Sequence, residues 1–188
     1  RMMYSPVDID ARELSQSGIQ FMATYLGSVP IKASLRHMRS TDLRLSVVNT
    51  AMYALTSKAP TPGHENKINS VEEDSVAAQL IGEPLFKNIQ VALIISTKAI
   101  LISHADPAQP ERNGGLVALH QLGFVSFAGA GNAQHPDLFG YIAKVKEDRR
   151  CHIIRLHDVS VSRVLICISK AIELNAPKTK LQILQKEV

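Results

Sequence analysis

The sequence predicts an α+β domain, and three observations predict it. Six short apolar runs separated by turn residues occupy 88–156, one amphipathic stripe with helical spacing follows them, and helical periodicity is otherwise confined to residues before 82. With 45% hydrophobic and 20% charged side chains, a chain of 188 residues can bury a full core instead of staying disordered. We expect one domain over 1–176 and a C-terminal tail over 177–188. No internal repeat interrupts it.

The elements follow in order. Val7 to Ser15 carries amphipathic spacing for a short helix, and "GIQFMATYLGSVPI" then reads as a strand ending near a bulge or close backbone approach at Gly27. Between Arg39 and Ser57, Leu43, Val47, Met52 and Leu55 recur at helical intervals, with Asp42 near the N-terminus. Lys58 to Pro84 is rich in Pro, Gly and polar residues, which predicts a long surface loop ending in a helical piece around Val76 to Ile81. Strands are expected in "NIQVALIIST", "AILISHAD", "GLVALHQL", "GFVSFAG", "LFGYIAK" and "CHIIRL", joined by turns such as Asn113-Gly114-Gly115. The closing helix runs from about Val159 to Leu174, its stripe marked by Val161, Val164, Leu165, Ile168, Ala171 and Ile172.

Composition excludes several functions. A net charge of +4 with only 5% aromatic residues lacks the basic stripe and stacking platforms that nucleic acid requires. Apolar stretches such as Val91 to Ile95 and Val164 to Ile168 are too short to span a bilayer, and the first residues lack a secretory core, so a cytoplasmic home is expected. The start at Arg1 suggests a piece of a longer protein. Cys151 and Cys167 sit in apolar runs without CxxC spacing, which predicts two buried thiols. The histidines are scattered singles, so neither zinc nor any cofactor is expected. Gly129-x-Gly131 lacks the third glycine of a dinucleotide turn, Ser126 lies in a strand instead of a nucleophile elbow, and Glu72, Glu73 and Asp74 form a solvated acidic run. The chain reads as non-enzymatic.

The segment "YIAKVKEDRRCHIIRL", Tyr141 to Leu156, sets four cations and two acids between two apolar runs. Such a hairpin tip is either a solvated turn that protects a sheet or an anion site. A family likeness favours the second. Tyr25-Leu26-Gly27, Val125-Ser126-Phe127-Ala128, Tyr141-Ile142-Ala143-Lys144 and Cys151-His152-Ile153, in that order between about Ile19 and Leu174, resemble the phosphotyrosine-binding domains, most closely those of Shc-type adaptors. The resemblance implies a pleckstrin-like fold: a β-sandwich or partly open barrel of about seven antiparallel strands in two roughly orthogonal sheets, closed at one end by the C-terminal helix. It also implies an adaptor that binds Asn-Pro-x-phosphotyrosine peptides of receptor or signalling proteins and is recruited to the inner face of the plasma membrane. The peptide would add a strand to an open sheet edge, and a basic pocket would take the phosphate.

Carried over residue by residue, the resemblance gives Arg149 as the phosphate-pairing arginine, Arg36 as a second one, Ser126 as a strand hydroxyl donor and Lys144 as a further cation. The receiving edge is Gly123, Phe124, Val125, Ser126, Phe127 and Ala128, with Ile168 and Ile172 on the closing helix meeting the peptide's upstream part. Two departures from the Shc pattern stand out. The hairpin is one residue shorter, so that Lys146 or Arg150 could replace Lys144, and Ile172 stands where the family usually has phenylalanine, which leaves a core role for it open. Alternative readings are a phosphoinositide-binding membrane module, which would add Lys32, Arg39 and Arg44 to these cations, and a scaffold for unphosphorylated Asn-Pro-x-Tyr or Asn-Pro-x-Phe peptides.

Overall fold

A computed structural model describes residues 9–36, 38, 40–57, 72–105 and 115–175. The expected loop over 58–71, the turn residues Asn113 and Gly114, the tail over 177–188 and Arg39 lie outside them, as do Val7 and Asp8. Helix α1 (Ala11–Gln16) begins four residues after Val7, because the Asp10 carboxylate accepts from the backbone N–H groups of Arg12 and Glu13 and so caps the first turn. Strand β1 (Ile19–Pro30) then runs the length of the molecule. It does not end at Gly27. The register slips there by one residue, with Gly27 at φ +136°, and a Cβ at that position would run into the Leu85 carbonyl oxygen, so only glycine lets the bulged strand stay paired on both sides.

Helix α2 (Thr41–Thr56) starts at Ser40, whose hydroxyl accepts from the N–H groups of Asp42 and Leu43. Its buried face is Val47, Val48, Ala51, Met52 and Leu55, while the expected Leu43 is half-buried. Helix α3 (Glu72–Leu80) covers most of the helical piece expected around 76–81. Strands β2 (Leu85–Ile95), β3 (Ala99–His104), β4 (Leu116–Gln121), β5 (Val125–Ala130), β6 (Leu138–Val145) and β7 (Asp148–Leu156) lead into α4 (Val161–Asn175). One boundary differs in a way that touches the site. Gly123 and Phe124 do not belong to the receiving strand, because Leu122–Phe124 form a 3-10 turn that joins β4 to β5.

All seven strands are antiparallel neighbours in one sheet of order β4-β3-β2-β1-β7-β6-β5. The two expected sheets are thus two halves of a continuous one, hinged on the long central β1. The sheet curls into a half-barrel: β4, at one end, reaches β6 near the other, where His120 Nδ1 and the Tyr141 hydroxyl are 2.9 Å apart. Twist accumulated over seven strands closes the curl, and the five-residue span from Gln121 to Val125 ties its two end strands together.

Two cores result. Inside the curl, Phe21, Val91, Ile95, Ile102, Phe139 and Ile154 pack under α4, which contributes Val161, Val164, Cys167, Ile168 and Ala171. On the outer face, α2 lays Val47, Val48 and Met52 against Val29, Leu138, Ile142, Cys151 and Ile153. Strand β6 is covered on both faces, which is why Leu138 to Ala143 is a continuous apolar run instead of an alternating one. Gly140 belongs to this contact, since a Cβ there would meet Val48 Cγ1 and Ile153 Cδ1 at 2.8 Å. Both cysteines are buried and free, and burial pushes the Cys167 thiol up to about 11 and that of Cys151 further still.

Candidate functional site

The β6–β7 hairpin assigns the cations of "KVKEDRR" by strand alternation. Lys144 lies directly opposite Arg149 in the ladder, and both share the face of Ile142 and Cys151, which is the α2 face. Arg149 is half-buried, and its Nη1 donates to the Ala33 carbonyl at 3.1 Å; its own carbonyl accepts from the Ile31 N–H at 2.9 Å. The hairpin is thereby fastened to the segment after β1, in which Arg36 lies three residues beyond Ala33. Arg36 itself is exposed, and its N–H donates to Ser34 Oγ. Lys144 forms an ion pair with Glu147 at 3.4 Å, largely in solvent and weakly held.

The alternatives for Lys144 go elsewhere. Lys146 sits exposed at the turn with φ 54°. Arg150 projects to the inner side: its Nε donates to Ser28 Oγ at 2.7 Å, and Nη1 lies 3.7 Å from Asp148. Arg44, invoked for a membrane surface, is half-buried and spends its guanidinium on backbone, Nε on the Met38 carbonyl and Nη2 on that of Leu35. It brackets the segment that carries Arg36, leaving Lys32 as the exposed one of the three extra cations within the described residues.

Strand β5 pairs with β6 along one side and, among the described residues, has no strand on the other, so it is an open edge of the sheet, with α4 packed beside it. Val125 pairs with Ala143 and Phe127 with Ile142, which leaves Ser126 as the extra residue of a bulge. Its exposed hydroxyl donates to the Ile142 carbonyl at 3.2 Å. Phe127 turns towards the α2 core, whereas Val125 and Ala128 pack against the inner one. Phe124 is 57% exposed in the adjoining turn. On α4, Ile168 is buried and belongs to the inner core; Ile172 is 45% exposed, which removes the core reading for it.

A buried polar cluster escaped the sequence reading. His120 of β4 and His152 of β7 face each other inside the barrel with ring centroids 4.4 Å apart. Each commits Nδ1 to a tyrosine hydroxyl 2.9 Å away, Tyr141 for His120 and Tyr25 for His152. Burial lowers both histidines, His152 to about 3, helped by His120 and Arg150, and raises both tyrosines, so the cluster is neutral. Histidines embedded at "VALHQL" and "CHIIRL" in alternating apolar strands were the available signal.

Comparison with known proteins agrees with this geometry. The model of the phosphotyrosine interaction domain (PTB/PID) family matches residues 21–180. SHC-transforming protein homolog 1 of Caenorhabditis elegans is 34% identical over 170 residues, covering 88% of this chain and 48% of that protein. Human SHC-transforming protein 4 is 27% identical over 161 residues, covering 84% of this chain and 24% of its own length. The chain therefore spans about half of the first relative and a quarter of the second. Among solved structures, the C-terminal phosphotyrosine interaction domain of mouse APBB2 superposes with a TM-score of 0.51 at 15% identity, over 92% of this chain and 96% of that one, a likeness of fold.

Proposed function

Because the chain belongs to the phosphotyrosine interaction domain (PTB/PID) family, we propose that it is an adaptor module that binds Asn-Pro-x-phosphotyrosine peptides from receptor tails or signalling proteins. The observation that carries this reading is the Arg149 Nη1 bond to the Ala33 carbonyl, which holds Arg149, Lys144 and the Arg36 segment on one face of the hairpin. A phosphate brings nearly two negative charges at neutral pH, and a guanidinium fork can meet two of its oxygens at once.

The peptide's upstream residues add a strand to the open edge of β5, from Val125 to Ala128, beside the exposed Ile172, while its Asn-Pro turn carries the phosphotyrosine round to the cations. Phosphate binding displaces the solvent-exposed Glu147 carboxylate from Lys144 and takes the guanidinium N–H groups of Arg149 that the Ala33 carbonyl leaves unused. Recruitment from the cytoplasm to the inner face of the plasma membrane follows from docking on receptor tails. The test is a calorimetric titration with one Asn-Pro-x-Tyr peptide in phosphorylated and plain forms. Preference for the phosphorylated form by a hundredfold or more supports the reading; equal affinities turn the module into a phosphorylation-independent scaffold, and no binding of either form rejects it.

A further inference from the structure

We propose that the open end of the half-barrel holds a second binding site, on the side of the sheet away from Arg149, for a small amphipathic anion: an apolar body carrying a carboxylate, phosphate or sulfonate head. A cavity of about 780 Å³ lies there, within the usual span of small-molecule sites. It exists because two strands outrun their partners. β5 begins opposite Ala143, so Lys144 and Val145 of β6 extend past it, and β3 ends opposite Val91, so Leu85, Lys87 and Ile89 of β2 extend past that. The Tyr25–His152 and Tyr141–His120 pairs seal the barrel interior, and Tyr25, His120 and His152 form part of the cavity wall.

The lining sorts into a body site and a head site. Leu85, Leu116 and Val145, each 49% to 64% exposed, line this one cavity, a concentration of uncovered apolar surface that a monomer rarely leaves unused. At the rim stand Arg150 and Lys87 against a single acid, Asp148, an excess of positive charge beside the neutral, buried His120 and His152. Arg150 is held in place by Ser28 Oγ, and its contact with the exposed Asp148 carboxylate is long, so donors remain for an incoming anion. Neighbours in a strand point to opposite faces, so Arg149 and Arg150 serve different surfaces and a ligand here leaves the phosphotyrosine face untouched.

Titration of the isotopically labelled protein with decanoate and with decanol, both below their aggregation limits, tests the site. Saturable shifts are expected at the methyl groups of Leu85, Leu116 and Val145, with decanoate binding about tenfold more tightly, the worth of one charge-assisted hydrogen bond. Arg150→Gln should erase that preference and leave decanol unchanged, while Val145→Asn should weaken both. Thermal melts accompany each variant; if Arg150→Gln is unfolded, Lys87→Gln at the rim replaces it and should reduce the preference. Unmoved cavity methyls, equal affinity for the two probes, or shifts that arise only with phosphatidylserine vesicles would overturn the proposal, the last by making this end a membrane-facing surface.

Discussion

Lys144 and Arg149 are direct partners across the β6–β7 ladder, and Arg150, one residue on, points to the other side of the sheet. Charge alone therefore cannot say which arginine meets a phosphate; strand parity does. Arg149→Lys keeps the charge but loses the fork, so affinity for the phosphorylated peptide should fall about tenfold or more. Arg149→Ala should cost more and bring the phosphorylated and plain peptides close together, whereas Arg150→Ala should leave the peptide titration nearly unchanged. A critical Arg150 with a dispensable Arg149 would sink this assignment.

The edge of β5 makes a separate claim. Ser126 is the extra residue of a bulge, a position at which proline is better tolerated than at a paired one. If a peptide strand adds to this edge, Ser126→Pro should weaken binding at least tenfold with the domain still folded by thermal melt. Ser126→Ala, which deletes only a hydroxyl now bonded to the Ile142 carbonyl, should cost less. Full affinity in a folded proline variant would remove β5 from the interface.

On α4, Ile172 is nearly half exposed, so a larger ring has room outward and should not overpack the core. Ile172→Phe should tighten peptides with a bulky apolar residue upstream of Asn-Pro by about 1 kcal/mol through added apolar contact, with stability unchanged within about 0.5 kcal/mol. Calorimetry and a melt on the same variant read both quantities, and an unchanged affinity rejects the contact.

Much of this was legible from local rules. Asp42 and the spacing of Val47, Met52 and Leu55 mark α2, and alternation in "CHIIRL" and "KVKEDRR" separates Arg149 from Arg150. Boundaries failed where the local signal was weak: β2 starts at Leu85 through four exposed residues without alternation, one of them Asn88 at φ 49°, and Gly123-Phe124 looks like strand but forms the corner that closes the barrel. The bracket from Arg44 to the backbone and the His120–His152 pair were beyond reach, because each depends on where the curl of the whole sheet brings distant segments together.

That histidine pair gives the domain a pH dependence. His152 is held neutral down to about 3 and His120 is lowered as well, both chiefly by burial, whereas in the unfolded chain each takes up a proton near 6.5. Below that value the unfolded state binds more protons than the folded one, so stability should fall as pH drops from about 6.5 towards 3 and level off above 6.5. For His152 alone the loss is about 2 kcal/mol at pH 5, from about 1.4 kcal/mol per pH unit. Urea melts between about pH 7.5 and 5, where carboxylates stay ionised, should show that slope, and His152→Gln, which keeps an amide for the Tyr25 hydroxyl, should flatten it. The variant is expected to be less stable than the parent at neutral pH and to close the gap on acidification. A slope that survives in His152→Gln at full size would mean that His152 takes up its proton inside the folded barrel.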